Sequence, residues 1–132
     1  MALGLATATA NAILDALCRS AAWSDPAAFC VKLHTGDPGS AGTANASAET
    51  SRKAATFSAA SGGAITTSGQ LDWTSWPVGA NGEVITHVSF WDATSGGNFL
   101  GSDALNASRT MNTGDTLSIA AGDIDLTLTV AA

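Results

Sequence analysis

The residues able to do chemistry in this chain are few and widely spaced. Its histidines are His34 and His87, its cysteines Cys18 and Cys30, and eleven acids stand against five bases. A metal site needs three or four ligands at defined spacing, and the sequence holds no HxH, HExxH or CxxC run. The histidines therefore read as structural or surface residues, and neither a metal nor a cofactor is expected. Asp37, Asp92, Asp103, Asp115 and Asp123 nearly all sit beside glycine or serine, where a carboxylate bonds nearby backbone amides and shapes a turn. The "GDID" run at 122–125 lacks the dense acidic ladder of a calcium loop and leaves room only for weak cation binding. Glycoside cleavage would use two carboxylates facing each other across a cleft, and nothing in the spacing singles out such a pair. There is no GxSxG, and the glycine-rich pieces "SGGAI" and "TSGGN" lack the lysine and helix start of a phosphate loop. No catalytic residue is expected.

The tryptophans carry the remaining interest. Trp73 and Trp76 bracket "TS" next to Pro77, Trp23 follows the first helical pattern, and Trp91 ends a strand-like run. An exposed tryptophan can stack on a sugar ring or anchor a protein interface, whereas a buried one is core. The sequence leaves these readings open, with core the first, and keeps Trp73 and Trp76 as interface candidates.

Charge narrows the partners. The net charge is −6, and the bases Arg19, Lys32, Arg52, Lys53 and Arg109 are scattered. Phosphate neutralisation needs a clustered basic face, so a nucleic-acid partner is not expected. The adjacent pair Arg52 and Lys53 reads as two exposed charges on a strand. The first twenty residues have no base before Arg19 and are too polar for a membrane span, so neither a secretory signal nor a membrane partner is expected, and assembly in a cytoplasm is. Cys18 and Cys30 are expected to be buried free thiols, a single bridge between them being the alternative.

The elements that must position these residues are mostly strands. With 132 residues, 12% charged and 45% hydrophobic, the chain should pack as one domain, residues 1–132. Ala10, Ile13, Leu14, Leu17, Cys18 and Ala21 follow the spacing of one helical face, giving a helix over about 7–22. Thr7, Thr9 or Asn11 could cap it, and "SDP" at 24–26 should stop it. Burying Ile13, Leu14 and Leu17 would contribute about 1.5–3 kcal/mol each, so the stripe should dock on the sheet or on a neighbouring subunit.

From 28 to 131 the period changes to two. "FCVKLH" is a strand ending in "TGDPG", residues 40–50 read as a long surface loop, and "RKAATF" and "GGAITTSGQLDWTSW" read as strands broken near 61–63. "EVITHVSFW" has bulk on both faces, as a central strand would, with Val84, Thr86, Val88 and Phe90 on one of them. "DATSGG" then turns it into "NFLGSDAL". Ile124, Leu126, Leu128 and Val130 alternate with polar residues in a last strand with one face toward a core. Some seven to eight short strands separated by glycine turns imply a mainly β fold, an antiparallel β-sandwich (jelly-roll-like) or small barrel led by one N-terminal α-helix.

The succession "VKLHTGDPGSAGT", "SRKAATFSAASGGAITTSGQLDW", "THVSFWDATSGGNFLGSDAL" and "GDTLSIAAGDIDLTL" resembles small structural proteins of tailed bacteriophages, described as head decoration, tail fibre or minor tail proteins. The likeness covers nearly the whole chain after the first helix, and its distinctive parts are the "HTGDPG" turn and the "FWDATSGGNFLG" hairpin. The resemblance implies a virion protein without catalytic residues, assembled in the host cytoplasm, with other virion proteins and further copies of itself as partners. Capsid decoration on the major capsid protein is the leading expectation. A minor tail or tail-fibre component, with carbohydrate or receptor binding, is the alternative. Ile13, Leu14, Leu17, Trp73 and Trp76 would then be the docking residues.

Overall fold

The computed structural model of the chain describes residues 4–131. A two-residue strand, β1 (Gly4–Leu5), leads into α1 (Thr7–Arg19), and eight strands follow. These are β2 (Cys30–His34), β3 (Lys53–Ala54), β4 (Ala64–Thr66), β5 (Leu71–Trp73), β6 (Glu83–Trp91), β7 (Phe99–Met111), β8 (Leu117–Ile119) and β9 (Asp125–Thr127). All pairings among them are antiparallel. The main sheet has the order β1-β7-β6-β2-β3, and two ribbons, β4-β9 and β5-β8, complete the β structure. The main sheet keeps free edges at β1 and β3, so the molecule is an open sandwich and not the small barrel that the sequence also allowed.

The core lies between the main sheet and the ribbons. Val31 and Leu33 of β2, Ile85, Val88 and Phe90 of β6, and Leu100 and Met111 of β7 meet Leu71, Trp73, Trp76, Leu117, Ile119 and Ile124 from the opposite layer. Phe29, just before β2, adds an edge-to-face contact with Phe57 at 5.0 Å and a tilted one with Phe90 at 4.9 Å. β6 is central, as its two bulky faces imply, but its alternation changes phase. The register with β7 slips between Ile85 and His87, a bulge that turns Ile85 inward with Val88 and Phe90 and leaves Val84 exposed. Val84 and Thr86 therefore do not share the core face that strict alternation gives them. The stretch "GGAITTSGQLDW" is likewise two strands, because β4 and β5 pair with different partners.

The second face of the main sheet is covered too. Residues 40–50 lie on the surface as the expected long loop, with most side chains exposed, and within residues 35–52 Pro38 and Ser47 are buried against the sheet near His34 and Trp91. Their small side chains suit this close approach. Glu83 at the start of β6 accepts bonds from the Ser47 hydroxyl and, at 3.1 Å, from the Ala48 amide. Arg52 lies 4.0 Å over the Trp91 ring and donates to the carbonyls of Ala93 (2.9 Å) and Gly96 (2.6 Å), clamping the hairpin between β6 and β7. Arg52 is thus half-buried and engaged, where the sequence suggested a solvated charge.

At the centre of this layer His34 is fully buried. The Ala44 carbonyl can only accept, so the His34 Nδ1–H donates to it, at 2.8 Å. Nε2 then accepts from the Ser89 hydroxyl at 2.7 Å, and Ser89 Oγ accepts from the Trp91 indole N–H at 2.8 Å. The chain of bonds fixes one tautomer and ties the covering loop to β6.

Three details of α1 differ from the sequence reading. Ala6 occupies the N-cap and provides no side-chain cap, so Thr7, Thr9 and Asn11 do not act as caps. The helix stops at Arg19, where Ser20 takes a left-handed conformation with φ 55°, well before the "SDP". Cys18 is exposed and only Cys30 is buried, both as free thiols, so the bridge does not form.

Two outcomes follow for stability. The Trp73 indole N–H donates to the Ser51 carbonyl at 3.0 Å, whereas the buried Trp76 N–H has no protein acceptor among the described residues. Trp73→Phe should therefore cost about 1 kcal/mol more than Trp76→Phe in urea unfolding. Burial, with smaller contributions from Lys32 and His87, pushes the His34 pKa down, although its bonds to Ala44 and Asn45 oppose the shift. Its folded value lies below the unfolded one, so the unfolded chain takes up the proton first as pH falls. Stability should decline below about pH 6.5, before carboxylates titrate. His34→Gln, which cannot titrate, should show a smaller decline between pH 7.5 and 5.

Candidate docking surface

A buried nucleophile-and-base geometry is formed by the Ser89–His34 pair, at 2.7 Å. Both residues are sealed from solvent, and Ser89 Oγ already holds the Trp91 indole. No substrate can reach either atom, so the pair acts as a clamp inside the fold. The sequence missed this pairing because Ser89 and His34 are 55 residues apart and meet only through the register of β2 on β6. His87, opposite His34 in that register, bonds Thr86 Oγ1 through Nδ1 at 2.7 Å.

The acids mostly build turns, as their neighbours in sequence imply. Asp37 accepts from the Gly39 amide, and Asp115 from that of Asn112. Asp92 takes both the backbone and side-chain amides of Asn98, and these bonds hold its pKa below the usual carboxylate range. Asp72 is held low in the same way by Ser118 across the β5-β8 ribbon and by the nearby Gln70 side chain. Asp103 stands apart: it lies within β7, bonded to the amide of Ala104. Burial raises the Cys30 thiol pKa, which keeps it protonated and unreactive.

Several large apolar side chains remain exposed. Ile13 and Leu17 lie four residues apart on one row of α1. Ile13 is half-buried toward β7, but Leu17 is 78% and Leu14 56% exposed. No residue of α1 is buried, and the helix meets the body at β7. The interface candidates therefore divide. Leu14 and Leu17 present open surface and Ile13 bridges to the body, whereas Trp73 and Trp76 are fully enclosed in the core. Trp73 and Trp76 are corrected accordingly: they fill the sandwich and offer a partner or a sugar nothing. Their spacing in sequence could not show this, since burial depends on β8, which arrives forty residues later.

Beside Ile13 opens a groove of about 450 Å³ between the β1-β7 edge of the main sheet and β9. Leu5, Ile13, Ile65, Phe90, Leu126 and Leu128 make it apolar, and Asp103 and Asp125 stand on its walls. Leu128 and Val130 are 68% and 59% exposed. The sequence placed them in a strand with a core-facing side. β9 is in fact three residues long, and the core beneath it reaches only Ile124 and Leu126. Close contact with β4 is still kept beyond β9, because a side chain at Gly63 would meet Val130 and lie 2.7 Å from the Leu128 carbonyl.

On this side of the molecule the last turn of α1, the groove and the residues after β9 together present exposed apolar surface, which suits adhesion to other protein surfaces. A comparison with curated proteins gave no match. Residues 4–127, which include the helix and every strand, match the family described as podophage GP4 fiber I protein gp80. The chain belongs to this family of tailed-phage fibre proteins.

Proposed function

We propose that the chain is a structural component of a podophage tail fibre, holding virion subunits together by apolar contacts and performing no bond-making chemistry. The observation that carries this reading is the family match over residues 4–127. The exposed end of α1 agrees with it, since Leu14 and Leu17 cost stability in water unless a neighbour covers them. Tail proteins are the partners in this reading, with assembly in the host cytoplasm. The family description names a fibre, which supports a place in the tail over one on the head shell. Sugar binding through Trp73 and Trp76 has no support, because both are enclosed.

Quantitative mass spectrometry of purified particles tests the placement. A dozen copies or a few dozen would accord with a tail appendage, whereas hundreds per particle would favour head decoration. The docking role of α1 has its own test. Leu14→Asp with Leu17→Asp should leave the circular dichroism spectrum and the unfolding midpoint close to those of the native chain and remove the protein from particles. Loss of folding would instead show that the stripe belongs to the core.

A further inference from the structure

We propose that β9 is a self-pairing edge, through which two copies of this chain join antiparallel about Thr127. The inference stands apart from the fibre assignment, since it concerns the purified protein alone.

The backbone supplies the first reason. Ile124 and Leu128 turn their hydrogen-bonding groups toward β4: the Ile124 carbonyl accepts from Thr67 and the Leu128 amide donates to Gly63. Alternation then points the amides and carbonyls of Asp125, Thr127 and Thr129 away from β4, and β9 pairs with no other described strand. This is an open row of donors and acceptors. The two edges of the main sheet are guarded. β3 is two residues long and carries Lys53, and β1 is two residues long and runs at once into α1. From 124 to 131 there is no lysine, no proline and one charge, Asp125.

The second reason is that this edge is complementary to itself. An antiparallel pair centred on Thr127 sets Asp125 opposite the partner's Thr129, so the outward-pointing groups of both strands meet and no carboxylate faces another. The same register sets Leu126 opposite the partner's Leu128 and Ile124 opposite the partner's Val130. The exposed Leu128 and Val130 then gain apolar neighbours from the partner strand, beside the groove. A slip that brought Asp125 against Asp125 would oppose two like charges beside Asp103, which also stands on the groove wall. In a chain of net charge −6, the register about Thr127 keeps the single carboxylate of each strand opposite a threonine and away from its symmetry mate. The contact is two-fold and closes on itself.

Sedimentation velocity over a wide concentration range tests the proposal on the full chain. The native protein should form a dimer. Thr127→Pro removes an amide that points to solvent in the monomer, so it should abolish the dimer while leaving the circular dichroism spectrum intact. Leu128→Lys, at an exposed position, should do the same. In a Cys18→Ser background, Thr127→Cys should cross-link two copies on mild oxidation, because facing hydrogen-bonded residues bring their Cα atoms within disulfide range. A native protein that stays monomeric throughout, a dimer indifferent to both Thr127→Pro and Leu128→Lys, or a dimer that Thr127→Cys does not link would overturn it.

Discussion

The structure depends on β6 being buried on both faces at once. Its inward residues Ile85, Val88 and Phe90 pack on the ribbons, and its outward residues Ser89 and Trp91 lie beneath the loop of residues 35–52. A strand of this kind cannot leave its polar atoms unpaired, and the bonds from Trp91 to Ser89 to His34 to the Ala44 carbonyl meet that demand. The same bonds hold down a loop that has no regular structure of its own. Arg52 on the Trp91 ring and Glu83 on Ser47 and Ala48 repeat the device at either end of the strand.

One consequence is a division of the molecule into a tight half and an open half. Around β2, β6 and the covering loop, layers close on both sides of the sheet. On the side of β1, α1 and β9 the sandwich stays open, and apolar groups reach solvent along its seam. Gly101 illustrates how little holds β1 there: a side chain at this position would lie 2.5 Å from the Gly4 carbonyl, so only glycine lets the leading strand reach β7. Leu5, Leu14, Leu17, Leu128 and Val130 are all exposed along this side, where a subunit interface would gain from burial.

Much of the fold was legible in local pattern. The alternation of "EVITHVSFW" marked a central strand, the glycines of "TSGG" its turn, and the spacing of Ala10, Ile13 and Leu17 the helix. Local pattern could not show what arrives from far along the chain. Whether Trp73 and Trp76 are core or interface was settled by β8 and its turns. Residues 40–50 have no periodicity, so nothing in them announced that they cover a second buried layer. The bulge at Thr86 reverses the facing of half a strand without a glycine or proline to mark it. At the docking surface, Leu14 and Leu17 were recognised as a stripe needing a partner, but Leu128 and Val130 were not, because their alternation is the same whether or not a core lies beneath.

The central claim is that this fibre-family chain works by covering its open side with neighbouring subunits. Cryo-electron microscopy of the intact particle tests this most directly. The account predicts density for the chain in the tail, with the last turn of α1 and the seam along β9 buried against other subunits and the hairpin between β6 and β7 facing away. Density in which the α1 and β9 side faces solvent while the loop of residues 35–52 makes the contacts would contradict it.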